Sequence, residues 1–281
     1  MSQRSLNLKQ KLRNGETVIG AWIALAHPVI ADIMATTGFD YVLIDTEHGA
    51  FDLESLQMLI IAFNGSPTVP IVRVPWNDHV RIKQLLDIGA EGILAPLVKT
   101  VEECKALVAA CKYPPAGIRG FGPHRPSNYY RAIDEYAAIA NDAVFVMPQI
   151  EHIDTVKLVD PFIDTGVDAI CIGPNDLSGS LGLLCQTSHP KVVKAIEAVL
   201  AAAKARGVAV CPGVSYGVEE QAWWVERGAR MLLATWDIGL LAEGTRQALA
   251  ETRAAFLEEK AGKAAKPGKR RAVKPSGAGG P

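Results

Sequence analysis

Two hydrophobic periodicities alternate along most of this chain. From residue 17 to about residue 262, short runs of β-branched and apolar residues are separated by longer stretches with the spacing of an amphipathic helix. This alternation is typical of repeated strand-helix units around a parallel sheet. The predicted strands are residues 17–25, 40–48, 70–76, 91–98, 143–151, 168–177, 208–214 and 229–237. The clearest predicted helices are residues 52–63, 78–88, 101–111, 190–206 and 218–227.

Glycine residues mark the boundaries between these units. Eight units favour a closed barrel, although a doubly wound open sheet would give a similar alternation. The first strand run, TVIGAWIAL, carries no GxGxxG turn into its helix, which counts against a dinucleotide-binding sheet. We therefore predict an α/β fold, a single-domain (β/α)8 TIM barrel over residues 1–262. Five glycines lie where a left-handed residue would end a helix before the next strand, namely Gly38, Gly89, Gly166, Gly207 and Gly228.

The composition indicates which kind of ligand the protein binds and in which cellular compartment it is expected. A chain of 281 residues with 49% hydrophobic and 21% charged residues is large enough for one such barrel. The net charge is -1 and basic residues before residue 260 are mixed with acidic ones, so we expect small-molecule substrates, with no nucleic acid and no membrane as partner. The five cysteines form no CxxC pair, the N-terminus lacks the apolar core of a signal peptide, and no apolar run approaches the roughly 18 residues of a membrane span. We predict a cytoplasmic protein.

Two segments depart from the strand-helix pattern. Residues 113–128 (YPPAGIRGFGPHRPSN) are rich in Pro, Gly and Arg, and loops of that length in compact domains are often functional. Residues 263–281 are Lys, Ala, Pro and Gly with almost no bulky apolar residue. We predict that this last segment is a disordered basic tail without a catalytic role.

Polar side chains close several of the predicted strands. The active site of a barrel lies at the carboxyl ends of its strands, so these side chains are expected to meet at one mouth. They are Asp45, Thr46, Glu47 and His48 on strand two, Arg73 on strand three, Gln149 and Glu151 on strand five, and Asn175 and Asp176 on strand six.

Glu151 and Asp176 are candidate metal ligands. Two carboxylates with open coordination positions suit a hard cation such as magnesium or manganese better than structural zinc. The alternative is that each acid only caps the helix that follows it, a common role at strand-to-helix turns. Their occurrence together at adjacent strands favours the metal site.

His48 and Arg73 are candidates for the chemistry itself. Histidine is the natural general base near neutral pH, and Asp45 could orient its imidazole, the alternative being a loop histidine with a structural hydrogen bond. Arg73 lies in the apolar run PIVRVPW, where a charge is seldom buried unless it is paired or functional. Its guanidinium could stabilise an enolate or bind a carboxylate through two hydrogen bonds.

Six sequence strings, in order, resemble one known family. They are DYVLIDTEHGAFD, PIVRVPWND, GAEGILAPLV, PPAGIRGFGP, PQIEH and DAICIGPNDLSGSLG. From about Gly20 to Asp237 the chain resembles the HpcH/HpaI aldolases, metal-dependent class II pyruvate aldolases. The resemblance implies a barrel enzyme that cleaves or forms 4-hydroxy-2-oxo acids through a pyruvate enolate and an aldehyde.

The same resemblance implies roles for the residues at the mouth. Glu151 and Asp176 would hold a divalent metal cation, Mg²⁺, Mn²⁺ or Co²⁺, chelated by the keto and carboxylate oxygens of pyruvate. His48 with Asp45 would form the proton-transfer dyad, and Arg73 would face the enolate oxygen.

Further residues would bind the substrate. By resemblance Gln149 lies near the metal ligands, and backbone amides around Gly173, Asn175 and Asp176 receive the pyruvate carboxylate. A strand-to-helix turn does present free N–H groups to an anion. Trp22 occupies a position where the family often has an aromatic residue lining the site, although core packing explains it equally well.

The resemblance also bears on assembly and on the second substrate. It implies a hexamer of barrels whose last helix exchanges between neighbours, and the amphipathic run 240–257 is compatible both with that exchange and with an ordinary eighth helix. The segment 122–130 (GPHRPSNYY) departs from the smaller, alanine-rich segment of the dihydroxyheptenedioate enzymes, so it could help to set the aldehyde partner. The identity of that aldehyde stays open.

Three other functions are weaker. A malyl-CoA or citramalyl-CoA lyase would need a basic groove for the nucleotide, and no Lys/Arg cluster precedes the tail. A phosphate-binding isomerase would need a glycine-rich cradle after strands seven and eight, where the sequence reads PGVSYG and TWDIGLL. A catalytically silent barrel that acts as a binding protein is disfavoured because Asp45, His48, Arg73, Glu151 and Asp176 occur together.

Overall fold

A barrel of parallel strands organises the chain. A computed structural model describes residues 3–213 and 217–258, with side chains up to residue 256. Within this part eight parallel strands lie in the order β7-β6-β5-β4-β3-β2-β1-β8. They are β1 (Val18–Ile23), β2 (Tyr41–Asp45), β3 (Val69–Arg73), β4 (Gly92–Ala95), β5 (Phe145–Ile150), β6 (Ala169–Ile172), β7 (Ala209–Cys211) and β8 (Met231–Trp236). The predicted (β/α)8 TIM barrel is confirmed.

The barrel is nearly closed. Strand β1 pairs with β8, with Trp22 opposite Trp236. On the far side of β8 the seam with β7 is bridged by a backbone hydrogen bond of 3.2 Å from the Arg230 N–H to the Val210 oxygen. The strand ends that carry polar side chains are therefore held around one mouth.

Helices follow the strands. Those in the described part are α1 (Gln3–Arg13), α2 (Pro28–Thr37), α3 (Leu53–Ala62), α4 (His79–Asp87), α5 (Val101–Cys111), α6 (Ile133–Ala143), α7 (Val159–Ile163), α8 (Pro174–Ser180), α9 (Pro190–Ala205), α10 (Val218–Glu226) and α11 (Asp237–Arg253). The five glycines expected to end helices all have positive φ, from 68° to 108°. None of the helices described here is long and apolar enough to cross a membrane.

The chain divides into two compact units at Ile238. The first unit holds the barrel. In the second unit, from Gly239, helix α11 continues to Arg253 and is followed by a π-helical turn, Ala254–Glu258. The predicted tail, residues 263–281, lies outside the described residues.

Alternate residues of each strand face two different cores. On β2, Tyr41 and Leu43 belong to a cluster inside the barrel, while Val42 and Ile44 pack in a larger cluster between the sheet and the surrounding helices. This follows from the two-residue period of a strand and explains why both faces of β2 are apolar. The sixth strand is shorter than the predicted run 168–177, because Pro174 starts helix α8 directly after it.

Helix α1, which the periodicity did not predict, closes the amino-terminal end of the barrel. Its Leu8 and Leu12 join the cluster inside the barrel. The Ser5 hydroxyl donates to the Ala143 oxygen at 2.5 Å, and the Lys9 ammonium lies 2.9 Å from an Asp168 carboxylate oxygen. The first helix therefore forms the floor of the barrel, opposite the mouth.

The insertion after α5 also lies at this amino-terminal side. Arg119 donates to the Asp87 carboxylate at the end of α4 at 2.7 Å, and Arg125 donates to the Asn64 side chain just beyond α3 at 2.6 Å. Because the carboxyl ends of barrel helices face away from the mouth, the segment 122–130 cannot shape the mouth of its own chain. The expectation that this segment sets the aldehyde partner is therefore wrong for a single chain.

Candidate active site

A large cavity opens at the carboxyl ends of the strands. Its volume is ≈ 770 Å³, within the range of small-molecule sites. It brings together most of the predicted site residues from five strands or their following loops. Those lining it are Trp22, Asp45, His48, Arg73, Gln149, Gly173, Asn175 and Asp176.

Asp45 and Arg73 form a buried ion pair in the wall of this cavity. The two residues are direct partners in the β2–β3 register. Arg73 donates from Nε to Asp45 Oδ1 at 2.9 Å and from Nη2 to Oδ2 at 2.6 Å, the forked geometry that fixes a guanidinium most firmly. Burial alone would raise the pKa of Asp45, but the hydrogen bonds and charge of Arg73 hold it below its usual value.

Trp22 and Glu47 complete the surroundings of Arg73. The Trp22 indole donates to Asp45 Oδ2 at 3.3 Å, and the Arg73 guanidinium carbon lies 4.6 Å from the centre of the indole ring. Glu47 places a carboxylate oxygen 3.0 Å from Arg73 Nη1. Burial raises the pKa of Glu47 in spite of that positive charge. Two acids and one aromatic ring thus hold one arginine in place.

His48 lies at the rim of the cavity. Its side chain is 69% exposed, and its Nε2 is 3.8 Å from a Glu47 carboxylate oxygen. Asp45 does contact His48, but through the backbone N–H, which donates to Asp45 Oδ1 at 3.3 Å. The expected pairing of Asp45 with the His48 imidazole is therefore not formed in this structure, because Arg73 and Trp22 already bind the Asp45 carboxylate.

Glu151 and Gln149 are buried where β5 ends. The backbone N–H of Leu97, a residue with φ of 54°, donates to Glu151 Oε1. Burial, together with the charges of Asp176 and Glu47, raises the pKa of Glu151 to about 7. The buried Oε1 of Gln149 has no hydrogen-bond partner among the described atoms.

Gly173 allows these two side chains to pack directly against its backbone. A Cβ at this position would lie 2.5 Å from Gln149 Nε2 and 2.6 Å from Glu151 Oε2, closer than real Cβ atoms approach. Asn175 and Asp176 follow in the first turn of α8, exposed to the cavity. The structure thus brings the Glu151 carboxylate and the Asp176 turn to the same side of the mouth.

Some residues at this site were not assigned from the sequence. Glu47 was noted at a strand end without a role, although its place between Asp45 and His48 was the available signal. The Leu97 N–H carries no sequence signal, since it is a backbone group in a loop. In the described part of the chain no group of three or more His, Cys, Asp or Glu side chains is arranged to hold a metal ion. A metal here would rely on two carboxylates and other oxygen donors.

Comparison with known proteins identifies the family. The family model described as HpcH/HpaI aldolase/citrate lyase matches residues 18–243. The chain belongs to this family. It is 40% identical to the 4-hydroxy-2-oxo-heptane-1,7-dioate aldolase of Salmonella typhimurium over 240 residues, 84% of this chain and 90% of that protein. It is 38% identical to the 5-keto-4-deoxy-D-glucarate aldolase of Citrobacter koseri over 231 residues, 82% of this chain and 89% of that protein.

Solved structures of the family agree with the fold. The HpcH/HpaI aldolase from Desulfitobacterium hafniense superposes with a TM-score of 0.80 at 36% identity, covering 88% of this chain and 96% of that one. The chain is accordingly a carbon-carbon lyase of the class II aldolase type, as the sequence predicted.

Proposed function

We propose that this HpcH/HpaI aldolase uses a divalent metal cation to form or cleave 4-hydroxy-2-oxo acids through the enolate of pyruvate. The observation that carries the proposal is that a buried, high-pKa carboxylate, Glu151, lies beside Gly173, directly behind the cavity wall to which Asp176 and the fixed guanidinium of Arg73 belong. The names of the curated relatives support it, because both are aldolases of substituted oxo acids.

The residues around Glu151 fit a hard cation. The side chains of Glu151, Asp176 and Gln149 supply oxygen atoms, and the Gln149 Oε1 is buried without a partner. Gly173, which has no Cβ, lets the side chains of Gln149 and Glu151 lie together against its backbone. Oxygen donors of this kind suit Mg²⁺, Mn²⁺ or Co²⁺, and we propose that Glu151 and Asp176 are the protein ligands. When bound, such a cation would supply Lewis-acid polarisation of the pyruvate keto group.

Arg73 would stabilise the negative charge that develops on the keto oxygen. Its hydrogen bonds to Asp45 and its contact with Glu47 hold the guanidinium in place before the substrate arrives, so little reorganisation is required during the reaction. We propose that the backbone N–H groups of Asn175 and Asp176, beside Gly173, bind the pyruvate carboxylate.

His48 would move the proton between the substrate and solvent. Its imidazole lies at the exposed rim, where an aldehyde or its hydroxyl product would enter. Asp45 contributes by holding Arg73 and the backbone N–H groups of Glu47 and His48. We propose that Asp45 positions the loop, and that any dyad with the imidazole forms only after the imidazole reorients.

A further proposal concerns the assembly of the protein. In the described stretch from Gly239 to residue 256, four large apolar side chains are exposed, those of Leu240, Leu241, Leu249 and Phe256. They support the hexamer implied by the family resemblance, in which this segment would contact another copy.

A cytoplasmic location is proposed from the five cysteines, all free in the structure.

A chelation experiment tests the central proposal. Stripping the protein with a chelator should abolish exchange of the pyruvate methyl protons with deuterated water, and Mg²⁺, Mn²⁺ or Co²⁺ should restore it. Binding of Mn²⁺, followed by calorimetry, should be lost in Glu151→Gln and retained in Glu54→Gln, an exposed carboxylate on α3. Full exchange in metal-free protein would instead indicate a Schiff-base aldolase, although none of the described residues lining the cavity is a lysine.

A further inference from the structure

The cavity extends far beyond the carboxylates at its base. A three-carbon oxo acid bound beside Glu151 and Asp176 would fill only a small part of ≈ 770 Å³. The remaining space runs from Trp22 past the end of β8 to helices α9 and α10. This is the space in which the tail of an aldehyde would lie.

The wall of this outer part is mainly apolar, with Thr187, Ser188 and Glu220 as its polar members. Trp223 and Trp224 meet edge to face on α10, with ring centres 4.5 Å apart. Val193 and Ile196 contribute from α9, and Trp236 from the end of β8. Aromatic and branched side chains of this kind favour an apolar ligand group over a hydrated one.

The outer cavity offers no cation for an anionic tail. Among the described residues that line the cavity, Arg73 is the one lysine or arginine, and it is engaged with Asp45 and Glu47. Arg227 stacks on Trp223 at 3.5 Å, but it is paired with Glu197 and does not line the cavity.

The charged side chain at this side of the rim is itself acidic. Glu220 lies in the first turn of α10, is exposed and lines the cavity. A carboxylate on the aldehyde would lose part of its hydration against the tryptophans and would meet a like charge. Its neighbour Glu219 shares the same turn but does not line the cavity.

We propose that the aldehyde partner of this enzyme carries an uncharged, apolar tail, selected by the tryptophan-lined wall and by exclusion of carboxylates at Glu220. The inference rests on the aldolase function proposed above. It separates this chain from the S. typhimurium relative, whose named substrate is a dioate.

A matched pair of aldehydes tests the inference. 4-Methylpentanal and 4-oxobutanoate have the same number of non-hydrogen atoms and differ in that the second ends in a carboxylate. With pyruvate and Mg²⁺, we expect kcat/KM for 4-methylpentanal to exceed that for 4-oxobutanoate by about tenfold or more. Glu220→Arg should lower this ratio by about tenfold, because it replaces a like charge by an opposite one. Glu219→Arg, the control, should leave it within about twofold.

The outcomes separate the inference from the function. A preference for 4-oxobutanoate, or equal use of both aldehydes, would overturn the apolar tail. Equal shifts in Glu220→Arg and Glu219→Arg would remove Glu220 as the selecting residue. If Glu220→Arg does not fold, Glu220→Gln should still lower the ratio in the same direction, and an unchanged ratio would count against Glu220. Deuterium exchange into pyruvate without any aldehyde reports the enolate function separately, so a lack of exchange and of product with both aldehydes would refute that function.

Discussion

The raised pKa of Glu151 predicts that this carboxylate measurably lowers the folding stability of the metal-free protein. Its folded-state pKa of about 7 lies above the ordinary value of 4.5. At about 1.4 kcal/mol per pH unit this difference corresponds to about 3 kcal/mol. The folded protein holds the proton of Glu151 more tightly than the unfolded chain does. The stability that this group contributes is therefore fully present below the unfolded-state pKa and is lost as the pH rises through about 7. The metal-free protein should therefore be least stable, with respect to this group, above about pH 8.

Glu151→Gln isolates this effect. The amide oxygen can still accept from the Leu97 N–H, but the charge near Asp176 and Glu47 is removed. We expect the metal-free variant to be more stable than the wild type by about 3 kcal/mol at pH 8 and nearly equal to it at pH 5. For a domain of this size that difference raises the melting temperature by roughly 6 to 12 °C.

The assay is urea unfolding followed by circular dichroism at several pH values, with and without Mn²⁺. Wild-type protein should gain stability from Mn²⁺ at pH 8, whereas Glu151→Gln should gain little, because the ligand charge is absent. Glu54→Gln serves as the control for a general change in net charge. Identical pH dependence of unfolding in wild type and Glu151→Gln would refute the assignment of the high pKa to Glu151.

Three further predictions follow from the contacts at the mouth and the floor. Gly173→Ala should lower metal affinity and activity by about 10²-fold or more with the barrel still folded, since the added Cβ displaces the side chains of Gln149 and Glu151; unchanged Mn²⁺ binding by calorimetry would contradict this. His48→Ala should reduce kcat by about 10²- to 10⁴-fold, the range for a lost general base, while Mn²⁺ binding stays near normal; loss of the metal would show that the histidine is a ligand. Lys9→Met should destabilise the protein by about 3 kcal/mol in urea unfolding, because it leaves the carboxylate of Asp168 buried without its cation, and a shift below about 0.5 kcal/mol would show that the pair is dispensable.

The sequence predicted the barrel because its strand-helix period repeats eight times, and because strands β2 to β7, buried on both faces, are apolar over most of their length. It predicted the polar residues at the mouth for a topological reason, since every parallel strand delivers its last side chain to the same end. The side chain that binds Asp45 was harder to predict from the sequence. Which neighbour binds this carboxylate depends on the register that sets Asp45 opposite Arg73, and no spacing along the chain encodes that register.

Other features were not predicted because they depend on contacts between residues that are distant in the sequence. Helix α1 is short and mostly polar, and its two inward leucines, Leu8 and Leu12, have meaning only once the barrel floor exists. The tryptophan wall is assembled from α10 and the end of β8, so Trp223 and Trp236 appear in the sequence as ordinary core residues. The insertion at residues 113–128 was conspicuous, but its composition does not reveal which end of the barrel it covers.

The floor helix has a consequence for how the chain is made. Lys9 donates to the backbone oxygen of Val144, a residue 135 positions later in the chain. During synthesis at about 5 to 20 residues per second, the first helix would leave the ribosome many seconds before strand β5 exists to receive it. During that interval the apolar side chains of Leu8 and Leu12 would have no native packing partners. Docking of α1 against the barrel would therefore come late in folding. A bulky fusion placed directly before Gln3 would therefore hinder a segment whose native partners lie more than a hundred positions later in the chain.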